Sequence, residues 1–438
     1  MTQCIPQLSF SFYSHRKIRA DFSGGQITSD AGLLPLRAFD QRHHLTRDLD
    51  AVLTDQRDGE RIDHPQLELM RQRLYAICAG YEDTNDAHRL REDFILQMVS
   101  DRPVGEALGS QPTLCRLENA VSARDIARLA SLGLEWFLRV CGRRVRQQGE
   151  ILLDMDSTGD PTHGHQQLSM FNGYYGEPVY HPLLIFERHS GCLLDARLRR
   201  GNCISYNRCL GRLRRLVRRL RRAFPGVPIR LRADAGFDWP PLFQLLEEED
   251  VQYAIRIKAN KVLHRLAEPL AQRAARAYQH SQHPQTRFTS FWYRARKWPH
   301  ARRVLAKAEH NASEAECYFI ITNLGGAAAA GYEFYNGRGE CENRIGEFKN
   351  GFHADRLSCH RFLANAFRLL LHGLAYNLVN LFRLRLPAGL RRLQINSLRL
   401  QLFKVGARVR VTARWVWVHI ASGWPYQQTL LAAARAAG

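Results

Sequence analysis

The amino-acid sequence predicts an α/β fold preceded by a helical segment, and three observations support this. Residues 1–148 carry apolar side chains mostly at helical spacing, as in "HPQLELMRQRLYAICAGY". From about residue 149 the pattern changes to short apolar runs of strand length, separated by turns and helical stretches. The 438 residues are 45% hydrophobic and 24% charged, which is typical of a globular protein with two or three domains.

Within the helical segment, the stretch Ser110–Asn119 is a candidate for a small recognition helix. It has a proline near its start and carries Thr113 and Arg116 close behind. This pattern is typical of the second helix of a helix-turn-helix motif, whose N-terminal residues reach DNA. A small packing helix fits the same residues, so both interpretations stay open.

Residues 149–258 show the element order of a ribonuclease-H-like core. Three apolar runs come first, at Glu150–Asp156, His181–Arg188 and Cys192–Arg199. They are followed by a basic helix at Tyr206–Phe224, a strand at Ile229–Asp234, the helical stretch "WPPLFQLLEEED" and a strand at Val251–Lys258. Three sequential strands, then helix, strand, helix and strand, predict that core, with the first strand central and the fourth beside it.

Residues 259–333 interrupt this order. Their stretches "TRFTSFWYRARKW", "RRVLAKAEH" and "ECYFIITNL" predict strands, so we expect a β-rich insertion. Residues 334–385 would complete the core with a long amphipathic helix that begins at Arg361.

The C-terminal region, residues 386–438, is strongly basic. We expect an Arg-rich helix around Leu390–Phe403 and then a β-hairpin in "ARVRVTARWVWVHIA". In that hairpin we expect Val and Trp on one side and Arg on the other.

The charge of the chain indicates its partner. It has 63 Lys and Arg against 42 Asp and Glu, a formal net charge of +21. Such an excess predicts a polyanionic partner. The run "RLRRLVRRLRR" also fits a helix on a membrane surface, but Arg predominates in it, and guanidinium groups bind phosphate at two points. We therefore favour nucleic acid over a membrane.

Several other classes are not indicated. The ten cysteines show no C-x-x-C pair and no zinc spacing, and we interpret Cys192, Cys203 and Cys209 as reduced thiols. The N-terminus does not resemble a secretory signal. No apolar run is expected to span a membrane, because "LLLHGLAYNLVNLF" is interrupted by polar residues. We expect a cytoplasmic protein.

Acidic residues stand at the ends of two predicted core strands. Asp154 and Asp156 are two residues apart on the first strand, so their side chains point to the same face. Asp234 ends the fourth strand. Because the carboxyl ends of neighbouring parallel strands meet at one edge of a sheet, we expect Asp156 and Asp234 to be close together. Glu342 can add a third carboxylate from a helix packed across that edge.

Carboxylate oxygens suit Mg²⁺ or Mn²⁺ rather than zinc. Two such ions, about 3.5 to 4 Å apart, can activate an attacking oxygen and stabilise the leaving oxygen during phosphoryl transfer. Each acid taken alone also fits a turn, a cap or a surface ion pair, and we interpret three others only in that way: Asp160, Asp195 and Asp238. The combination of Asp156, Asp234 and Glu342 in a basic chain favours a metal site.

The stretch "YNGRGECENRIGEFK" looks helical from about Arg338 onward. Its residues Tyr335, Arg338, Glu342 and Lys349 are spaced by three, four and seven, which places them on one helix face. One interpretation is a solvated face with an Arg338–Glu342 ion pair. The other is a continuous surface on which Glu342 faces metal ions while the remaining three residues hold phosphates.

The same four residues resemble a known signature. Their spacing is that of the Y-(2)-R-(3)-E-(6)-K pattern found in the cut-and-paste group of bacterial insertion-sequence transposases, which have an Asp, Asp, Glu triad. The stretches "LDMDSTGDPTHG", "LRADAGF" and "YAIRIKAN" are similar to blocks of one insertion-sequence family in that group. The resemblance covers nearly the whole chain.

The resemblance implies the roles of individual residues. Asp156, Asp234 and Glu342 would be the catalytic triad and would hold two Mg²⁺ (or Mn²⁺) ions. The first Asp of the family precedes one residue and then Thr, which fits Asp156 and leaves Asp154 as the alternative. Contacts to DNA phosphates near the cleaved end would come from the rest of the signature: Tyr335, Arg338 and Lys349. Two aromatic residues are candidates either for stacking on a flipped base or for the core: Trp292 and Trp298.

The resemblance also implies an activity. Such enzymes bind the inverted-repeat ends of their element as double-stranded DNA, here through residues 1–148, cleave them with water and join the 3′-OH ends to target DNA. A homodimer on paired ends and a location at the bacterial nucleoid are expected with it. Two alternatives remain, namely a metal-dependent nuclease without strand transfer and a catalytically silent DNA-binding protein of the same fold.

Overall fold

The computed structural model describes residues 7–296, 298–312 and 315–437. The strands are β1 (Gln7–Phe10), β2 (Ile18–Asp21), β3 (Gln26–Thr28), β4 (Ile151–Ser157), β5 (Asp160–Pro161), β6 (Met170–Asn172), β7 (Glu177–Tyr180), β8 (Leu183–Glu187), β9 (Leu193–Arg197), β10 (Ile229–Ala233), β11 (Gln252–Ile257), β12 (Gln285–Tyr293), β13 (Arg302–His310), β14 (Ala315–Thr322), β15 (Ala407–Val411) and β16 (Val416–Ile420). The α-helices are α1 (Leu33–His43), α2 (Leu45–Val52), α3 (Gln66–Ala79), α4 (Ala87–Leu90), α5 (Phe94–Ser100), α6 (Gln111–Ala120), α7 (Ala123–Gln148), α8 (Leu210–Ala223), α9 (Pro240–Glu248), α10 (Lys261–Ser281), α11 (Ala328–Asn336), α12 (Gly339–Gly346), α13 (Phe362–Arg383), α14 (Ala388–Arg391), α15 (Ile395–Leu398) and α16 (Gln427–Ala437). The fold is therefore mixed α/β, as the sequence predicts.

The chain divides into two units. The terminal unit consists of Met1–Val121 and Phe382–Gly438, and the central unit of Ser122–Leu381. In the terminal unit, α3 is buried along nearly all of its length. Helix α6 packs near it through a buried ion pair between Arg73 Nε and Glu118 Oε1, 3.0 Å apart. This contact supports the packing-helix interpretation of α6.

The centre of the central unit is a sheet of eight strands in the order β12-β13-β14-β11-β10-β4-β8-β9. Strands β4, β10 and β11 run parallel, while β8 pairs antiparallel with β4 and β9 with β8. Strand β4 lies in the interior of the sheet beside β10, as the predicted order requires, and its residues are buried up to the last one. A strand buried on both faces reads as a continuous apolar run, which is why the sequence shows it clearly.

The segment 259–333 differs from the expected, mainly β insertion. Its three strands, β12 to β14, are present, but they extend the central sheet beyond β11. They are preceded by the 21-residue helix α10, which was not predicted. The apolar stripe of α10 consists of only four buried residues, with Pro269 between them, so its helical pattern is weak: Leu263, Ala267, Leu270 and Ala274.

Helix α7 packs closely against the edge strand β9. Ser122 and Asp125 form a reciprocal capping box at its start, and Gly149 ends it in the left-handed conformation. At Gly133 a Cβ atom would lie 2.5 Å from the backbone oxygen of Leu193. Only glycine allows the helix to approach the strand backbone this closely.

Helix α13 corrects one expectation from the sequence. It is long and apolar enough to cross a membrane by length and composition, although no such run was expected. However, 89% of its apolar window is buried inside the protein. Its polar residues Asn377 and Asn380 donate to the backbone oxygens of Leu193 and Ser190, each at 2.8 Å. This is the environment of a core helix.

The C-terminal region differs from the prediction in two ways. The expected helix at Leu390–Phe403 is replaced by α14, α15 and a π-helical turn at Arg399–Phe403. The hairpin is present as β15 and β16, but its sides were assigned wrongly. Arg410 lies directly opposite Trp417, so Arg and Trp share one face and the valines share the other.

A buried ion pair joins β4 to β10. Asp154 and Arg232 are register partners on these strands. Arg232 donates from Nε and Nη2 to the two carboxylate oxygens of Asp154, at 2.7 and 2.8 Å, and from Nη1 to the backbone oxygen of Phe334 at 2.8 Å. Both side chains are almost fully buried. The pair therefore links two central strands to the end of α11.

We expect Arg232→Met to lower the free energy of unfolding by about 3 to 5 kcal/mol, because it leaves the Asp154 carboxylate buried without a partner. Arg230→Met, on the same strand, removes a partly exposed pair with Glu150 and should cost less than about 1 kcal/mol. Chemical denaturation followed by circular dichroism measures both. Equal losses in the two variants would contradict the assigned role of the pair.

Candidate active site

Asp156 lies at the carboxyl end of β4, within electrostatic range of two other carboxylates. Asp156 is the second-last residue of that strand and is only 6% exposed. Asp234 follows β10, and its Oδ1 accepts a hydrogen bond from the backbone N–H of Gly236 at 3.0 Å. Glu342 lies on α12, and its side chain is 69% exposed. The charges of Asp234 and Glu342 both raise the pKa of Asp156, so each of these two acids lies within electrostatic range of Asp156.

Arg338 joins two of these acids. Its Nη2 donates to Asp156 Oδ2, and its Nη1 donates to Glu342 Oε1 at 3.1 Å. The Arg338–Glu342 ion pair of the simpler interpretation is therefore present, and it extends to Asp156. Burial alone would lower the pKa of Arg338, but the charges of Asp156, Tyr335 and Asp234 raise it above its ordinary value. The guanidinium group stays fully charged inside an acidic cluster.

Burial of Asp156 raises its pKa to about 7. The positive charge of Arg338 and a hydrogen bond from the Ser157 N–H act in the opposite direction, while Asp234 and Glu342 add to the effect of burial. One guanidinium group thus does not balance three carboxylates, and the cluster favours a further cation.

Asp154, the alternative first acid, is already engaged. Both of its oxygens accept hydrogen bonds from Arg232. Burial raises its pKa despite this partner. Asp156 is therefore the residue of the two that faces Arg338 and the other acids.

The four signature residues lie on three consecutive segments instead of one helix. Tyr335 is in the last turn of α11, Arg338 precedes α12, and Lys349 lies in a π-helical turn at Glu347–Gly351. Burial raises the pKa of Tyr335, and the charges of Asp234 and Asp156 add to this, so its ring lies near the acids. Helix α11 ends at Asn336 and α12 begins at Gly339, and Gly337 and Arg338 keep helical dihedral angles but form a turn between them, which the spacing alone did not predict.

Lys349 reaches the loop that follows β4. Its Nζ donates to the backbone oxygen of Gly159 at 2.6 Å and to Thr158 Oγ1 at 3.3 Å. It also lies 3.4 Å from Asp160 Oδ1. The Lys349 ammonium group therefore lies beside the loop that follows Asp156, at the same edge of the sheet.

Asp160 is a residue whose position the sequence did not reveal. It is fully buried, and burial raises its pKa to about 7, against the opposing charge of Lys349. The only signal in the sequence is its place four residues after Asp156, within a turn-like stretch. The other two acids that were set aside do not belong to the cluster, since Asp195 bonds to Arg212 and Asp238 accepts from the Lys258 N–H.

The two candidate tryptophans differ. Trp298 is buried and packs against Phe243 and Tyr293, which makes it a core residue. Trp292 lies on β12 and is 72% exposed. Only Trp292 is accessible to a nucleic-acid base.

The donor chemistry of the cluster fits a divalent cation. All three groups are carboxylates, and Oδ2 of Asp234 has no hydrogen-bond partner within the described part of the chain. Yet in residues 7–296, 298–312 and 315–437 no three His, Cys, Asp or Glu side chains are placed so that they could hold one ion. Arg338 occupies two of the carboxylates instead, so its side chain has to move before Asp156 and Glu342 can share an ion.

Comparisons with known proteins agree with this chemistry. No curated protein matches the sequence. Eight chains of solved structures match, among them the cryo-EM structure of the piggyBac transposase synaptic complex with hairpin DNA. That match has 12% sequence identity and a TM-score of 0.40, and it covers 81% of this chain and 74% of the other. A family model for the transposase DDE domain, group 1, matches residues 10–437, so the chain belongs to the group 1 family of DDE-domain transposases.

Proposed function

We propose that this protein is the transposase of a bacterial insertion sequence of the cut-and-paste type. It would bind the inverted-repeat ends of its element, cleave them and join the 3′-OH ends to target DNA. The observation that supports this proposal is the electrostatic action of Asp234 and Glu342 on Asp156 at the end of β4, in a chain whose family consists of transposases.

The arrangement of the central sheet supports the proposal. Strands β9, β8, β4, β10 and β11 are adjacent in that order, with β4, β10 and β11 parallel. This is the order expected of a ribonuclease-H-like core, in which the first and fourth strands bring their terminal acids together. The strand order thus supports Asp156 and Asp234 as two of the three acids, and the ion pair of Arg338 with Asp156 and Glu342 supports Glu342 as the third.

Asp156, Asp234 and Glu342 would hold two Mg²⁺ or Mn²⁺ ions. Bound there, such ions would activate the attacking oxygen and stabilise the leaving oxygen of the phosphodiester. In the DNA-free protein Arg338 neutralises Asp156 and Glu342. If Mg²⁺ or Mn²⁺ ions bound these two carboxylates, the guanidinium group of Arg338 would become available for a phosphate of the DNA.

The other signature residues would position the DNA. Lys349, which contacts the loop after β4, would bind one phosphate of the DNA. Tyr335, whose ring lies near Asp156 and Asp234, would bind another phosphate. The exposed Trp292 would stack on a base at the cleaved end. Paired ends require two active sites, so we infer a homodimer on DNA. We also infer a cytoplasmic location at the nucleoid.

Strand transfer separates this proposal from a nuclease. The purified protein should be incubated with Mg²⁺, a target plasmid and linear DNA carrying the element ends, taken from the sequence that flanks its gene. We expect joined products in which the 3′ ends of the element are linked to the plasmid, visible on a denaturing gel. Cleaved ends without any joined product would favour the nuclease, and no cleavage at all would favour a silent DNA-binding protein.

We expect Asp234→Asn and Glu342→Gln to reduce cleavage at least about 100-fold. Mutation of residues that only hydrogen-bond to a metal ligand typically lowers activity or metal affinity about 10- to 100-fold, and a ligand itself should matter at least as much. DNA binding should remain within a few-fold. The matched control is Glu340→Gln on the same helix, since Glu340 pairs with Arg188 away from the acids. Cleavage by the Glu342 variant at the level of the control would remove Glu342 from the site.

The raised pKa of Asp156 predicts a pH dependence of stability in the absence of metal. The unfolded chain loses this proton near its ordinary pKa of 3.8, whereas the folded protein keeps it until about pH 7. The contribution of this group is therefore most favourable at acidic pH and is lost as the pH rises through about 7.

Between about pH 5 and pH 8, in a chelator, wild type should lose roughly 2 kcal/mol more unfolding free energy than Asp156→Asn. Denaturant titrations at the two pH values measure this difference. Adding Mg²⁺ at the higher pH should restore wild type and have little effect on the variant. Parallel losses in both proteins would show that Asp156 titrates normally.

A further inference from the structure

One exposed face of the small sheet β16-β15-β3 in the terminal unit has no role in the proposed function. Register pairing places Arg408 opposite His419 and Arg410 opposite Trp417, with Ile27 of β3 beside Arg408. All of these side chains are exposed. The opposite face is buried at Ala407 and Val409 and exposed toward the hairpin turn. We call the exposed face, with Arg408, Arg410, Trp415, Trp417 and His419, the aromatic-basic face.

The aromatic groups form a row along β16. Trp415 and Trp417 are 66% and 53% exposed, and their ring centroids are 6.4 Å apart. The rings of Trp417 and His419 are 6.1 Å apart and within 8° of parallel. Large aromatic side chains are normally buried, and a contiguous exposed patch of this kind marks a binding surface.

Cations lie directly beside this row. Arg408 and Arg410 run along β15, and Arg414 lies in the turn that Thr412 and Trp415 close by hydrogen bonds. The hairpin itself contains no acidic residue, because Asp355 is the last Asp or Glu in the whole sequence. In the described residues none of the three arginines forms an ion pair, and their charge is left for an external partner.

We propose that the aromatic-basic face binds single-stranded DNA. Bases would stack on Trp415 and Trp417, and the phosphates of the same strand would pair with Arg408 and Arg410. A row of rings next to a row of guanidinium groups matches a strand that has bases along one side and phosphates along the other. Base faces are open in a single strand and closed in a duplex, so the rings select unpaired DNA. The proposal rests on the proposed function only in that DNA is the partner.

The test compares binding of a labelled oligothymidine with binding of a duplex of equal length, using fluorescence polarisation and the full-length protein. Trp415→Ala/Trp417→Ala should weaken oligothymidine binding at least about tenfold. Duplex binding should change less than about twofold. Arg408→Ala/Arg410→Ala should reduce the slope of log affinity against log salt by about 1 to 1.5.

Two control variants keep the result interpretable. Ile420→Ala changes an exposed apolar residue on the other face of the same strand and should leave oligothymidine binding unaltered. Trp415→Phe/Trp417→Phe keeps two aromatic faces and should retain binding within a few-fold. Thermal midpoints of all variants report whether the terminal unit is folded.

Three results would overturn the proposal. Unchanged oligothymidine binding in the double alanine variant would do so, and so would an equal loss of duplex binding. The third result concerns the oligomeric state of the double alanine variant. If wild type is a dimer and the variant is a monomer in light scattering, while both bind oligothymidine equally, the face is a contact between two copies of the chain. A wild-type protein that binds oligothymidine but joins no DNA would contradict the transposase proposal and leave this one standing.

Discussion

Arg338 donates to both Asp156 and Glu342, and the geometry of the candidate site depends on this shared guanidinium group. Asp156 is buried at the end of an interior strand, where an ionised carboxylate without a partner is costly. Glu342 comes from a separate helix nearly two hundred residues later in the chain. Arg338 binds both, so it holds α12 across the end of β4 and brings the third acid next to the first. Without a cation at this point, three carboxylates would repel one another.

The same interaction leaves the site electrostatically incomplete. One guanidinium group faces three carboxylates, and the pKa of Asp156 is raised to about 7 as a result of burial and of its acidic neighbours. Burial also raises the pKa of Asp154, although Arg232 donates to both of its oxygens, so a raised pKa alone does not distinguish the two acids. Their partners do, because Asp154 pairs with Arg232 of the neighbouring strand and Asp156 with Arg338, which also donates to Glu342. Of the two buried acids on one strand, only Asp156 therefore belongs to the proposed metal site.

The sequence predicted those parts of the fold that depend on continuous apolar runs. Strands β4, β8, β9, β10 and β11 were expected within a few residues of their bounds, since strands buried on both faces are mostly apolar. Helix α10 was missed because its apolar stripe is short and contains Pro269. Strand alternation does not separate Asp154 from Asp156, because both point to the same face; the resemblance favours Asp156, and the pairing of Asp154 with Arg232 agrees with that choice.

Net charge predicted a polyanionic partner but could not locate where it binds. The basic helix α8 contains the most conspicuous basic run in the sequence, yet most of its arginines form ion pairs with carboxylates of the same chain. Carboxylates within 4 Å pair with several of them: Arg212, Arg214, Arg218, Arg219 and Arg221. By contrast, the C-terminal hairpin carries fewer arginines, but within the described residues Arg408, Arg410 and Arg414 form no ion pair. The charge available to DNA depends on which cations lack internal partners, and such pairing is visible only once the chain is folded.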